Sequence, residues 1–192
     1  MTREENLRDI IAAYDCLVQH PAMNTSAVGV VGTSYGAYLS TILTTLRPVQ
    51  WLSLRVPSLY RDAEWDRPKR ELNREDLAIY RGSRVAPYEN RALTACSEFR
   101  GDVLLVESEH DHLVPHATIM SYRAAFANSH SLTHRVIDGA DHALTQKLSQ
   151  AAYTSILVNW ITEMVIGARV GSRGVGGRAD NQPPHHSVST GG

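Results

Sequence analysis

The sequence of 192 residues has little cysteine, no excess of charge of either sign and no long hydrophobic run. Its two cysteines, Cys16 and Cys96, cannot form a disulfide framework and match no zinc-binding spacing, which favours free thiols in a reducing cytosol. Lys and Arg number 19 and Asp and Glu number 20, so the net charge is −1. This balance argues against a general nucleic-acid-binding protein, whose affinity would depend on a basic surface.

Segments that direct a chain into a membrane are also missing from the sequence. The first nine residues include Arg3, Glu4, Glu5, Arg8 and Asp9, so no secretory hydrophobic region occurs there. No run of about 18 apolar residues is present, because polar residues interrupt even the most apolar segment, 151–168. We therefore expect a cytoplasmic protein with no membrane partner.

Composition divides the chain into a core and a tail. Apolar residues make up 43% and charged residues 20% of the sequence, which is typical of a globular domain. Residues 169–192 are rich in Gly, Ser, Arg and Pro and contain almost no large apolar side chain. Such a segment cannot offset the entropy lost on ordering. The sequence thus predicts one core domain over 1–168 and a disordered tail over 169–192.

Helix and strand patterns alternate along this core. Apolar residues at helical spacing predict helices over 1–20, 35–46, 119–127 and 143–165. Short apolar runs predict buried strands over 27–31, 51–56, 103–106 and 133–137. This alternation indicates an α/β fold with a parallel sheet of about four strands and right-handed crossovers. The polar, charge-rich segment 58–100 is expected to form a small cap-like insertion.

A pentapeptide with a chemical signature follows the first predicted strand. Residues 32–36 read Gly-Thr-Ser-Tyr-Gly, the G-x-S-x-G pattern between a strand and a helix. This tight turn strains the backbone at Ser34 and projects its hydroxyl, while the two glycines are expected to let strand and helix approach closely. Ser34 is therefore the candidate nucleophile. The backbone N–H of Tyr35, at the start of the new helix, is the candidate donor to an oxyanion.

A serine hydroxyl needs a general base and an orienting acid to act as a nucleophile at neutral pH. Catalytic side chains of parallel sheets lie at the carboxyl ends of the strands. Asp111 and His142 each follow a predicted strand by a few residues, and their order after Ser34 is that of G-x-S-x-G hydrolases. We expect His142 to accept the proton of Ser34 and Asp111 to orient His142.

Neighbouring carboxylates leave an alternative for the acid open. Glu107 and Glu109 lie in the same segment as Asp111 and could replace it. Asp141 is adjacent to His142, and adjacent residues rarely present their side chains to each other. Asp141 is therefore expected to be a loop or helix-cap carboxylate.

The remaining histidines do not suggest a second site. His134 is expected at the start of the fourth strand, which is the wrong end for catalysis. Three histidines flank Asp111, namely His110, His112 and His116. Their spacing matches neither H-E-x-x-H nor a cysteine-containing zinc pattern. No metal and no cofactor is therefore predicted.

Three motifs together resemble the α/β-hydrolase superfamily, of the dienelactone-hydrolase or prolyl-oligopeptidase-like type. GTSYGA resembles the nucleophile elbow, EHDHLVP the acid-bearing loop and DGADHAL the histidine loop. Glu109 stands where the family's acid-bearing loop commonly has glycine. The resemblance spans about residues 1–167 and implies an α/β-hydrolase fold with a serine hydrolase activity.

The chain departs from this family on the N-terminal side of the elbow. Family members place several strands and an oxyanion loop there, and no H-G-G or H-G-x-P segment occurs in this sequence. The second oxyanion donor normally comes from that part. Strand 27–31 is then expected at an edge of the sheet, where an uncovered apolar strand can pair with another chain. We therefore expect a homodimer through this edge, a missing partner segment or poor solubility.

The expected function is hydrolysis of a small-molecule carboxylic ester through an acyl-enzyme, because ester cleavage tolerates an incomplete oxyanion hole better than amide cleavage. Alternatives are a peptidase or amidase, a lactonase, and an inactive fragment that acts as a binding or assembly subunit. Four aromatic residues of the insertion are candidates for lining an acyl pocket: Tyr60, Trp65, Tyr80 and Tyr88.

Overall fold

A computed structural model describes the backbone of residues 1–175 and the side chains of residues 1–168. Four parallel strands form one sheet in the order β1-β2-β3-β4. The strands are β1 (Gly29–Thr33), β2 (Trp51–Arg55), β3 (Asp102–Ser108) and β4 (Ser131–Ile137). The α-helices of the described residues are α1 (Arg3–Val18), α2 (Tyr35–Leu43), α3 (Arg74–Arg81), α4 (Arg91–Glu98), α5 (His116–Ala125) and α6 (Lys147–Val175). The expected α/β class, with four parallel strands and flanking helices, is confirmed.

Alternation along β3 shows how the two faces of the sheet are covered. Val103 and Leu105 pack into a core with residues of α2, α4 and α5. Leu104 and Val106 pack on the opposite face, against α6. Because both faces of β3 are covered, its four central residues are all buried, which explains the continuous apolar run in the sequence. Helix α1 packs beside α2 on the first of these faces.

The whole segment 58–100 was expected to form an insertion, but its last helix belongs to the core. Its last helix, α4, buries Leu93 and Cys96 in the same core as β2 and β3. Helix α4 is thus the crossover between β2 and β3. The remaining part contains helix α3 and three short 3₁₀ turns at 62–64, 69–71 and 87–89, and it remains the candidate for a cap.

Several element bounds differ from the expected ones. Strand β1 begins at Gly29 and continues to Thr33, since Gly32 and Thr33 still pair with Leu54 and Arg55. His134 lies in the middle of β4, opposite Leu105, and not at its start. Helix α6 begins at Lys147 and runs to Val175, so residues 169–175, expected in the tail, belong to the helix. The rest of the expected tail, 176–192, lies outside the described residues.

Strand β1 lies at one edge of the described sheet, with β2 as its neighbour. Val28 and Val30 pack against α1 and α2. On the other face Val31 is 51% exposed, because α6 covers β3 and β4 but does not reach β1. Helix coverage of the two sheet faces is therefore uneven among the described residues. Over the same residues, no helix combines the length and the hydropathy that a membrane span needs.

Candidate active site

Ser34 occupies a strained turn between β1 and α2. Its backbone has φ 52° and ψ −115°, a conformation that L-residues rarely adopt. A Cβ at Gly32 would lie 2.6 Å from Ala37 Cα, so only glycine fits where the strand passes under the helix. A Cβ at Gly36 would meet nothing within 4 Å. The expectation that both glycines allow close approach is thus correct at Gly32 and wrong at Gly36 in this structure.

The structure brings Ser34, His142 and Asp111 into one hydrogen-bonded row. His142 Nε2 lies 3.0 Å from Ser34 Oγ, and His142 Nδ1 lies 2.6 Å from Asp111 Oδ2. With the ring proton on Nδ1, His142 donates to the carboxylate and accepts the hydroxyl proton of Ser34. This arrangement can deprotonate the serine and stabilise the imidazolium that results.

The loop after β3 holds the Asp111 carboxylate from two sides. Asp111 Oδ1 accepts hydrogen bonds from the backbone N–H groups of Leu113 and Val114, both at 2.8 Å. Burial alone would raise the pKa of Asp111. Hydrogen bonds from His142, Val114 and Leu113 outweigh burial and hold the pKa of this carboxyl below its usual value. Asp111 is therefore ionised at neutral pH.

The alternative acids have other partners. Glu107 Oε1 lies 2.7 Å from His116 Nδ1, and Glu109 Oε2 accepts the backbone N–H of Gly139 at 2.7 Å. Asp141 accepts hydrogen bonds from the backbone N–H and the hydroxyl of Thr145, in the manner of a cap. Of the described carboxylates, it is the one of Asp111 that contacts His142.

Two residues that sequence reasoning missed also contact this row. Ser58 Oγ lies 3.1 Å from Ser34 Oγ, and the backbone N–H of Ser58 donates to the carbonyl of Ser34 at 3.1 Å. Arg55 Nη1 donates to the carbonyl of His142 at 2.9 Å. The only sequence signal was their place at the carboxyl end of β2, on the same edge as Ser34.

Tyr35 opens α2 directly after Ser34. N–H groups in the first turn of a helix have no intrahelical acceptor, so the Tyr35 N–H remains the candidate donor to an oxyanion. The Tyr35 hydroxyl instead points to α1, where it accepts a hydrogen bond from Asn6 Nδ2 at 2.8 Å.

A cavity of about 860 Å³ opens beside Ser34 and His142. Tyr60 lines this cavity, as expected for an acyl pocket, together with Leu72, Leu77 and Leu113. The other three aromatic candidates do not line it in the described part of the chain.

Three of the residues expected to line an acyl pocket, Trp65, Tyr80 and Tyr88, have other surroundings in the structure. Trp65 is buried in an apolar cluster with residues of α1 and α2, and its Nε1 donates to Glu4 Oε2 at 2.9 Å. The Tyr80 hydroxyl accepts from Asn90 Nδ2 at 3.2 Å, and the Arg61 guanidinium lies 4.5 Å from its ring centroid. Tyr88 is 85% exposed to solvent. Local packing and exposure therefore account for these three side chains.

A metal centre is not formed by the side chains that the structure describes: no group of three or more His, Cys, Asp or Glu is placed to hold an ion. His116 is hydrogen-bonded to Glu107, while His110 is exposed and lies 3.8 Å from Glu109. His112 lines the cavity near Leu113. The chemistry available at this site is that of the Ser34 row.

Solved structures with a similar fold include enzymes of two kinds. Est1E from Butyrivibrio proteoclasticus has 13% identity and a TM-score of 0.62, over 86% of this chain and 72% of that one. An esterase domain of a Rhodothermus marinus protein has 18% identity and a TM-score of 0.58, over 83% and 69%. The acylaminoacyl peptidase of Pyrococcus horikoshii has 14% identity and a TM-score of 0.53, over 73% and 24%. At such identities the likeness concerns the fold.

Among curated proteins, none matches this sequence. The sequence model of the prolyl oligopeptidase family matches residues 1–167, which include the elbow, the acid loop and the histidine loop. This match covers the whole core, and its residues adopt the four-stranded α/β-hydrolase arrangement described above. The chain therefore belongs to the prolyl oligopeptidase family of serine hydrolases, within the α/β-hydrolase superfamily.

Proposed function

We propose that this chain hydrolyses carboxylic esters through an acyl-enzyme formed on Ser34. The observation that supports the proposal is the row of short hydrogen bonds, 3.0 Å from Ser34 to His142 and 2.6 Å from His142 to Asp111. A strained elbow presents the serine at one end of this row, and the cavity lies beside it. Nucleophile, base and orienting acid are thus in contact without a rearrangement.

In the acylation step, Ser34 Oγ attacks the ester carbonyl carbon while its proton moves to His142 Nε2. Asp111 keeps the proton on Nδ1 and stabilises the positive ring. The N–H of Tyr35 donates to the oxygen that becomes negative in the tetrahedral intermediate. When the intermediate collapses, the bond to the alcohol breaks and His142 gives its proton to the leaving oxygen.

In the deacylation step, water takes the place of the alcohol. His142 removes a proton from the water as its oxygen attacks the acyl carbon, and the same N–H stabilises the second intermediate. Collapse releases the carboxylic acid and returns the proton to Ser34 Oγ. The side chains end in their starting protonation states, so the cycle needs no cofactor.

An ester is favoured over an amide because the described residues offer one candidate oxyanion donor, the backbone N–H of Tyr35 at the start of α2. Loss of one donor from an oxyanion hole costs about 10²–10³ in rate. Alkoxide leaving groups depart more easily than amines, so ester cleavage remains measurable with this deficit. The names of two similar structures, Est1E and the Rhodothermus marinus esterase domain, agree with ester chemistry on this fold.

Labelling with a fluorophosphonate tests the proposal, since only an activated serine forms the adduct. We expect one adduct per chain, located on Ser34 by peptide mass spectrometry, together with turnover of short p-nitrophenyl esters. Ser34→Ala and His142→Ala should remove both signals. Ser26→Ala, at an exposed serine bonded to Asn24, is the matched control and should retain both. A folded chain that forms no adduct would support the binding-subunit alternative, and cleavage of peptides in preference to esters would support the peptidase.

A further inference from the structure

The cavity beside Ser34 has a charged wall of a single sign. Its charged lining residues, apart from the chain's first residue and two histidines, are Lys69, Arg70, Arg74 and Arg81, and no Asp or Glu lines it among the described residues. The whole chain, in contrast, has 19 basic and 20 acidic residues. Basic groups are thus concentrated at this cavity while their acidic counterparts lie elsewhere.

Arg81 is the buried member of this group. It ends α3 and is 8% exposed. Its Nε donates to the carbonyl of Leu59 and its Nη1 to the carbonyl of Leu113, both at 3.0 Å. Its Nη2 is buried with no hydrogen-bond partner in the described residues, and no carboxylate there forms an ion pair with it. The Arg81 guanidinium also lies 4.7 Å from the centroid of the Tyr60 ring, which stabilises the cation in part. A buried cation that has no counter-ion is stabilised further when an anion pairs with it.

Two more basic side chains of the cavity wall have no acidic partner within the described part of the chain. Lys69 Nζ lies 4.8 Å from the centroid of the Tyr35 ring, and Arg74 forms no ion pair with any described carboxylate. Arg70 differs, since its Nε lies 3.7 Å from Glu71 Oε1. Lys69 and Arg74 therefore add to the positive potential that Arg81 produces at the cavity.

The basic side chains and the nucleophile Ser34 line the same cavity. We propose that Arg81, with Lys69 and Arg74, binds a carboxylate of the substrate, and that the substrates are esters that carry a free carboxylate. This inference rests on ester hydrolysis at Ser34. A carboxylate suits a guanidinium because both are planar and form charge-assisted hydrogen bonds.

Matched pairs of esters test this inference. Ethyl hydrogen adipate and ethyl hexanoate differ by a carboxylate in place of a methyl group on the acyl side, and 3-acetoxypropanoate and propyl acetate differ likewise on the alcohol side. We expect kcat/KM to favour the carboxylated member of at least one pair by about tenfold or more at low salt, and this preference to shrink as salt screens the charges. Equal or higher kcat/KM for both neutral esters would overturn the inference.

Substitutions test which side chains cause the preference for the carboxylated ester. Arg81→Met should abolish most of the preference for the carboxylated ester, and Lys69→Met and Arg74→Met should each reduce this preference severalfold. The matched control is Arg84→Met, at an exposed arginine just beyond α3 that does not line the cavity. Should Arg81→Met unfold, because it loses two hydrogen bonds, the Lys69 and Arg74 variants still decide. A preference unchanged in both would overturn the assignment.

A binding measurement separates this inference from the proposed function. Adipate and 1,6-hexanediol are titrated into Ser34→Ala by calorimetry, which requires no turnover. Binding of adipate that Lys69→Met weakens supports the anion subsite even if labelling of Ser34 fails. Absence of adipate binding to a chain that cleaves neutral esters would overturn the subsite and leave the proposed function standing. Inorganic phosphate that binds more tightly than adipate would overturn the carboxylate assignment.

Discussion

The Asp111 side chain both holds its own loop and contacts His142. One carboxylate oxygen accepts two backbone N–H groups while the other contacts His142, so both oxygens have fixed partners. An asparagine has the same shape but places an amide N–H against one of these partners. Either the loop loses hydrogen bonds or the histidine adopts the wrong tautomer.

Asp111→Asn should therefore lower kcat for p-nitrophenyl esters by about 10⁴, the loss found when a triad aspartate becomes asparagine. Steady-state kinetics measures this loss, and Glu109→Gln in the same loop serves as the control with nearly unchanged kcat. A mild effect of Asp111→Asn beside a severe effect of Glu109→Gln or Glu107→Gln would move the acid role to another residue.

The lowered pKa of Asp111 also predicts how stability depends on pH. A carboxyl whose pKa is lower in the folded than in the unfolded chain stabilises the fold above the unfolded value, about 3.9. The stabilisation disappears as pH falls through the folded value. The difference in unfolding free energy between the wild type and Asp111→Asn should thus be full at pH 6–7 and shrink below about pH 4. Urea titrations across this range measure it, and a constant difference would contradict the shift.

Ser58 should position the nucleophile. If Ser34 donates its proton to His142, then Ser58 donates to Ser34 Oγ across their 3.1 Å contact. Loss of one such hydrogen bond is worth about 1 kcal/mol, or roughly fivefold in rate. Ser58→Ala should lower kcat and the rate of fluorophosphonate labelling by about this factor, with KM little changed. An unchanged labelling rate in a folded variant would exclude this role.

At the scale of elements, the elbow between β1 and α2 makes unequal demands on its two glycines. A Cβ at Gly32 meets backbone atoms of Ala37 at 2.6 and 2.9 Å, which a side-chain rotation cannot relieve. Gly36 has open space at its Cβ position and lies in the second position of the helix.

Gly32→Ala should consequently destabilise the fold by about 1–3 kcal/mol, the range typical of overpacking. Gly36→Ala should be neutral or stabilising by up to about 1 kcal/mol, because alanine favours the helix over glycine. Chemical denaturation of both variants measures the pair. A Gly36→Ala variant as unstable as Gly32→Ala would mean that another surface contacts this position.

Local sequence patterns predicted helices and strands well where apolar side chains repeat in a run or at helical spacing. The apolar run at 103–106 predicted β3, and helical spacing predicted α1 to within two residues at its C-terminal end. The end of β1 was missed because Gly32 and Thr33 look like turn residues, although their backbones still pair with β2. Helix α4 was hidden in a polar segment, since only its buried face is apolar.

The three residues of the hydrogen-bonded row were predictable from their positions after predicted strands of the chain. Ser34, Asp111 and His142 each follow a strand, and parallel strands bring those ends together. The pocket aromatics were mostly wrong because their positions depend on partners far along the chain. Trp65, for example, is held by Glu4, which lies 61 residues away. No local pattern encodes such a contact.

The molecule as a whole has an uneven distribution of helices. Helices α1, α2, α4 and α5 lie on one face of the sheet, and α6 alone covers the other among the described elements. As a result, Val31 of the edge strand remains half exposed. Within residues 1–175, the outward backbone N–H groups of this edge have no backbone acceptor. Ser34 N–H points to Arg55 in β2, so by alternation the N–H groups of Gly29, Val31 and Thr33 point away from β2.

An uncovered strand with an apolar face is a template for pairing with another chain. We predict that the 192-residue chain associates with a second copy through β1, as antiparallel edges that join two sheets into one. Light scattering at micromolar concentration should then give a mass above that of a monomer. Val31→Lys should shift the chain towards monomer, because two like charges would face each other near the twofold axis. Leu148→Lys is the matched control, since Leu148 is 83% exposed at the start of α6, the helix that packs against β3 and β4. A stable monomer that binds little hydrophobic dye would contradict pairing of β1 with a second copy.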